Sequence, residues 1–208
     1  MVLICVSQNS AFASFETIKV TAPWNSRYNS IKVAIINEAG LTEDKISVVK
    51  RAINSEANYT LDGHPYFVGW QGALRSIQAT KNTEFKILES DNKDNVNADI
   101  VIRLLKSEGS TYSGLTKPIF VENKIQLVSI NIFKSNDISS MQLENLVRHE
   151  FGHALGLGHS TDQNSIMYEL IEPEAKLITD CDLSGLQALD TGHVFTNIGC
   201  NDVSSSNT

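Results

Sequence analysis

The chain has 208 residues and a formal net charge of −7, with 41% hydrophobic and 20% charged residues, an ordinary composition for a globular domain. The acidic balance and the scatter of its 17 Lys and Arg oppose the positive footprint that phosphate backbones need, so nucleic acid is not an expected partner. No apolar run reaches the roughly 20 residues of a bilayer-crossing helix, so no membrane span is expected.

In chain order, residues 2–6 are apolar and Ala11-Phe12-Ala13 is a small-x-small triplet ahead of Ser14. The stretch 1–13 resembles an incomplete secretory signal, since no Lys or Arg precedes the apolar run; a native edge strand is the alternative. Residues 14–200 then read as one domain, and the Ser- and Asn-rich tail 201–208 as disordered. With Cys5 in the leader, Cys181 and Cys200 are left, either joined as a disulfide, which suits an exported protein, or as two buried free thiols.

Residues 30–36 (SIKVAII) are rich in β-branched residues and predict a strand. Behind Thr42, which can cap, Ile46, Val49 and Ile53 take up helical spacing. Residues 58–72 carry glycines, Pro65 and aromatics and read as a loop, and residues 70–79 as a short helix or a short strand. Three more apolar runs, 84–88, 99–105 and 125–133, bring the strands ahead of residue 139 to four or five. Tyr112, Gly114 and residues 116–120 could rim a cleft or be ordinary strand and turn. Ser139 with Gln142 makes a capping-box pattern, and Leu143, Leu146, Val147, Ala154 and Leu155 keep one apolar helical face up to Gly156. A further helix is expected over 181–189.

His149 and His153 are four residues apart, so on a helix they stand about 40° apart on one face, where one metal ion can reach both. A third ligand cannot come from the same helix in tetrahedral geometry. Gly156 can take the left-handed backbone conformation that ends a helix, and the returning chain presents His159. Three neutral imidazoles leave one zinc position open for a water whose pKa the metal lowers to about 7. Glu150, beside His149, is placed to take that water's proton and pass it to a leaving amine.

The pattern His149-Glu150-x-x-His153-x-x-Gly156-x-x-His159 resembles the extended zinc motif of the metzincin metallopeptidases, and Ser160 behind it is similar to the matrixin branch. Ser165-Ile166-Met167-Tyr168 resembles that family's Met-turn, which implies Met167 beneath the metal ligands and Tyr168 near the metal. Residues 98–102 look like a matrixin sheet strand and residues 177–189 like its C-terminal helix region. The resemblance implies an α+β, metzincin-like zinc peptidase fold: a twisted mixed five-stranded sheet with an active-site helix, a backing helix and a C-terminal helix.

The resemblance further implies one catalytic Zn2+ and a peptide or protein substrate held extended along an edge strand, with the loop 161–179 walling a pocket. The family's second, structural zinc is not expected, because His64 and His193 alone remain outside the motif and read as surface or locally hydrogen-bonded residues. Ca2+ held by loop acids such as Asp91, Asp94 and Asp99 is a further candidate, with solvated loop acids as the alternative reading. The expected function is a secreted, monomeric zinc endopeptidase. The alternative is a catalytically silent zinc-containing peptide-binding module on the same fold; a zinc amidase on that scaffold is a third reading.

Overall fold

The computed structural model describes residues 16–25, 30–88, 97–106, 113–170 and 174–200; the leader, the tail, Asp91, Asp94 and Tyr112 lie outside them. In chain order the elements are β1 (Thr17–Val20), β2 (Ser30–Asn37), α1 (Glu43–Asn54), β3 (Asn58–Leu61), β4 (His64–Phe67), α2 (Trp70–Ser76), β5 (Glu84–Leu88), β6 (Ile100–Leu104), β7 (Gly114–Val121) and β8 (Lys124–Ile132). Then follow α3 (Ser140–Ala154), β9 (Leu157–Ser160), α4 (Asp180–Asp190) and β10 (Thr196–Gly199).

The expected five-stranded sheet forms in the order β5-β2-β6-β8-β7. Its first four strands are parallel and β7 is an antiparallel edge. The parallel strands are the β-branched runs of the sequence, and Val33, Ile100, Ile102, Leu104, Ile130 and Ile132 are fully buried in them. Such continuous apolar strands are stable only when both faces are covered. Helices α1 and α3 lie against one another, and the Phe85 and Phe151 rings meet edge to face at 5.0 Å between sheet and helix.

Two features differ from the sequence expectation, and one open alternative is settled. Residues 58–67 are a hairpin, not a loop: Asp62 and Gly63 both have positive φ, 52° and 85°, and join β3 to β4. All four β3 residues are exposed, so no alternation of burial marks them, although Asp-Gly is itself a hairpin turn signal. Eight strands rather than four or five precede α3 among the described residues, because β1 and the hairpin were not anticipated and residues 114–121 resolve as strand. Residues 70–76 are a helix, which settles the open alternative.

A second sheet, β10-β1-β9, packs against α4. It matters for the site because β9 carries His159 and is paired through β1 to β10. The Cys181–Cys200 disulfide ties the residue after β10 to α4, which decides between the two cysteine readings. No helix among the described residues is long and apolar enough to cross a membrane.

Candidate metal centre and active site

The capping box at the start of α3 forms as expected: the Ser139 hydroxyl accepts from the Gln142 N–H at 3.2 Å and the Gln142 side chain accepts from the Ser139 N–H at 3.0 Å. The helix is then fastened by Arg148, which lies one residue before the motif and is buried. Its guanidinium donates to the Val68 carbonyl at 2.7 Å, the Lys176 carbonyl at 2.5 Å and Glu144 at 2.7 Å. Burial pulls the Arg148 pKa down to about 10, against the pull of Glu144, so it stays charged at neutral pH. Nothing in the motif spacing points to this brace. Two indole N–H groups add to it: Trp70 donates to the Arg148 carbonyl and Trp24 to the Ala154 carbonyl, each at 2.7 Å.

At the far end Gly156 has φ +98°, and a Cβ there would stand 2.2 Å from the Ala22 carbonyl oxygen. Only glycine fits this turn on both counts. The Gly156 carbonyl in turn accepts from the N–H and hydroxyl of Thr21, both at 2.8 Å, so the reversal is fixed against the strand that pairs with β9.

The turn brings the three histidines together. Ring centroids of His149, His153 and His159 lie 4.7, 5.0 and 5.5 Å apart, and one nitrogen from each falls within a common 4.8 Å. Among the described residues no other group of three His, Cys, Asp or Glu side chains converges in this way. His149 Nδ1 is 2.7 Å from the Ile166 carbonyl and His153 Nδ1 is 2.9 Å from the Leu157 carbonyl. A carbonyl can only accept, so both Nδ1 atoms carry the hydrogen and both Nε2 lone pairs are left for a metal. Burial holds both rings neutral: His149 is lowered to about 4 and His153 to about 3, the latter helped by His149. Neutral imidazole is the form that binds a metal, so the donor set fits zinc.

Glu150 is 6% exposed. Burial pushes its carboxyl up to about 7, while a hydrogen bond from Thr116 pulls the other way. The Thr116 hydroxyl is 2.6 Å from Oε2 and 3.0 Å from the Glu150 backbone oxygen. Gly114, two residues earlier on β7, leaves room for the carboxylate: a Cβ at 114 would be 2.3 Å from Oε1. Of the rim candidates, Gly114, Thr116, Pro118 and Phe120 border the cleft while belonging to a regular strand, so the two readings coexist there, and Thr116 adds a contact to the acid that spacing could not reveal. Gly114→Ala is expected to displace the Glu150 carboxylate. The proposed peptidase activity should fall by about tenfold or more, as for misplaced catalytic groups, while the midpoint of urea unfolding moves little.

Met167 is fully buried, and its sulfur packs over Gly152 of α3, where a Cβ would approach it to 2.2 Å. That places it beneath the helical turn carrying His149 and His153. Tyr168 is half-buried, bridges to Ser160 beside His159, and has the Lys176 ammonium 5.2 Å from its ring centre. The turn hangs from Asp182, a wholly buried acid that the sequence reading passed over. Its oxygens accept from the Ser165 hydroxyl (2.5 Å), the Ile166 N–H (3.3 Å), the Thr179 N–H (2.8 Å) and the Thr179 hydroxyl (3.0 Å). Thr179 followed by an acid three residues on is a capping pattern that could have singled it out.

The other candidates lie elsewhere. His64 Nδ1 is 2.8 Å from Asp180 on the surface, and His193 Nδ1 is 3.1 Å from the Thr191 hydroxyl. Asp99 accepts from the Lys32 N–H at 2.7 Å, a structural use of a residue first considered for calcium.

An open cleft of about 870 Å³ runs between β7 and α3, lined by Gly114, Thr116, Pro118 and Phe120 on one side and the three histidines with Glu150 on the other. The family profile described as Matrixin matches residues 71–191. Metalloendoproteinase 1 of Glycine max is 36% identical over 72 residues, 34% of this chain and 24% of that protein. Metalloendoproteinase 2-MMP of Arabidopsis thaliana is 27% identical over 168 residues, 80% of this chain and 42% of that protein. Matrix metalloproteinase-27 of Tupaia belangeri is 36% identical over 61 residues, 28% of this chain and 12% of that protein. The chain thus spans less than half the length of these relatives. With the profile covering more than half of the chain and the histidine cluster at the centre of the cleft, the chain belongs to the matrixin family of metallopeptidases.

Proposed function

We propose that this protein is a zinc-dependent endopeptidase that cuts polypeptides laid extended along the free edge of β7. The observation that carries the reading is the convergence of three imidazoles, with both helical Nδ1 atoms engaged by carbonyls, on the cleft that holds the Glu150 carboxylate. His149, His153 and His159 would hold one zinc ion, which supplies Lewis acidity for the scissile carbonyl and the attacking water.

The remaining steps fall to the chain's own groups. An unpaired sheet edge offers main-chain donors and acceptors to an extended substrate, and β7 is such an edge. Glu150, buried and near neutral in pKa, takes a proton from the attacking water and returns it to the departing amine. Thr116 holds Oε2, which limits the carboxylate to one orientation across the two transfers. Met167 and the Asp182 anchor keep the Ile166 carbonyl, and with it the His149 ring, in place. The Tyr168 backbone bridges to Ser160 of β9, whose N–H donates to the Met167 carbonyl at 2.8 Å, and this extends the same support toward His159.

The catalytic domain is read as spanning 14–200, supported by a single apolar core that runs from Ile18 to Cys200. Action outside the cell fits the disulfide, which oxidising compartments maintain.

Stripping the metal with a chelator is expected to abolish cleavage of a quenched peptide library, and stoichiometric zinc to restore it. A cleavage rate that survives complete metal removal would sink the reading.

A further inference from the structure

The chain does not stop at α4. It turns back toward the cleft, where the Phe195 N–H donates to the Thr21 carbonyl at 2.9 Å, Thr196 pairs with Val20, and Cys200 is joined to Cys181. Lys19 and Thr21, on and just after the strand it joins, line the cleft. The return sets the Phe195 ring edge-on to Phe120, with centroids 6.1 Å apart at 64°. Phe120 lines the cleft too, beyond Gly114, Thr116 and Pro118 on β7 and next to an irregularity in the β7–β8 pairing between Ile119 and Phe120.

Folding alone does not account for a phenylalanine at 195. Its φ is +50°, a region that bulky residues enter only under strain. Its side chain stays exposed, at 56%, and Phe120 is 40% exposed. An aromatic that is strained and wet at once gains little from either backbone or burial. Strained residues that persist cluster at ligand clamps and active sites.

We propose that Phe195 and Phe120 form a distal substrate subsite, an apolar wall that receives an aliphatic or aromatic side chain of the bound polypeptide roughly four residues from the bond being cut. The proposal rests on the peptidase reading above. Thr116, beside Glu150, and Phe120 are four strand residues apart, roughly 13 Å at ~3.3 Å per residue. An extended peptide on the β7 edge covers that span with about four residues of its own. The occupant is the substrate because the patch is continuous with the cleft through Phe120. Its chemistry is apolar because two phenyl rings meet there edge to face, with much of their surface open to a third side chain.

The test uses a peptide that the zinc-loaded protein cleaves, extended in two versions with Leu or Ser four residues from the scissile bond, on each flank in turn. Wild type is expected to favour Leu by roughly tenfold in kcat/KM on one flank, mainly through KM, as for one well-buried apolar contact. Phe195→Asn and Phe195→Gly, which both accept the left-handed backbone, should bring that ratio close to one with Tm equal to or above that of wild type. A ratio retained in Phe195→Asn, or absent on both flanks in wild type, overturns the subsite. Failure of wild type to cleave any peptide would count against the peptidase reading instead. The Leu-over-Ser preference would then be read as a ratio of Kd values by fluorescence anisotropy, with the same two outcomes.

Discussion

Glu150→Ala is expected to lower kcat by roughly 10²–10⁴-fold, the usual contribution of a positioned proton-transfer group, with bound zinc unchanged. The three imidazoles do not depend on Glu150 for their orientation: His149 and His153 are held by the Ile166 and Leu157 carbonyls, and His159 rides on β9. Glu150→Gln is the sharper variant. The amide has nearly the same volume and its oxygen still accepts from Thr116, so only the capacity to take a proton is lost. Metal content by elemental analysis and turnover of a cleaved peptide are the two measurements. A Gln variant within a few-fold of wild type would remove Glu150 from the chemistry. If wild type bound peptides without cutting them and Glu150→Gln left their Kd alone, the silent binding module would be the better description.

The second large effect concerns stability. Asp182→Ala is expected to lower the free energy of unfolding by roughly 3–5 kcal/mol, because it leaves four donors from Ser165, Ile166 and Thr179 in a buried pocket without an acceptor. Set against a typical domain stability of about 5–15 kcal/mol, that is a large fraction. Zinc affinity should fall as well, by about 10–100-fold, the usual effect of loosening a group that orients a ligand. Urea unfolding and a competitive zinc titration measure the two.

Asp182 also carries a pH signature. Burial raises its carboxyl to about 6 against the pull of its four donors, from an ordinary value of 3.8. Between those two values the folded chain holds a proton that the unfolded chain has released. The stabilising contribution is therefore complete below about pH 4 and is lost as pH rises through about 6. Asp182→Asn, which cannot titrate, should flatten that part of the stability profile. An identical slope in both proteins would mean that the acid is ionised throughout.

The parts of this site that were legible beforehand share a property: each is encoded within one helix or one turn. His149 and His153 share a helical face because 3.6 residues make a turn. Gly156 had to follow because the chain must reverse, and it does so at φ +98°. The Ser139–Gln142 cap and the long β-branched runs belong to the same class, as local regularities read off spacing. Residues 58–61 escaped because the strand is exposed along its length, so no apolar period distinguishes it from a loop.

What the local code cannot carry is which distant segment meets which. Thr116 reaches Glu150 across 34 positions, and Lys45 reaches the carbonyls of Ser135, Asn136 and Ile138 across some 90. Asp182 and Arg148 read in the sequence as ordinary helical charges. They become the anchors of the Met-turn and of α3 only once folding has removed water around them, because a buried charge is tolerated only with its hydrogen-bonding capacity filled. Phe195 likewise meets Phe120 because β10 pairs with β1, a choice made by chain topology and the Cys181–Cys200 bond. The candidate metal-binding groups and acid thus followed from local spacing in the linear chain, a helical pair and a turn that returns a third histidine. Their orientation, their ionisation and the reach of the cleft beyond them depended on long-range packing.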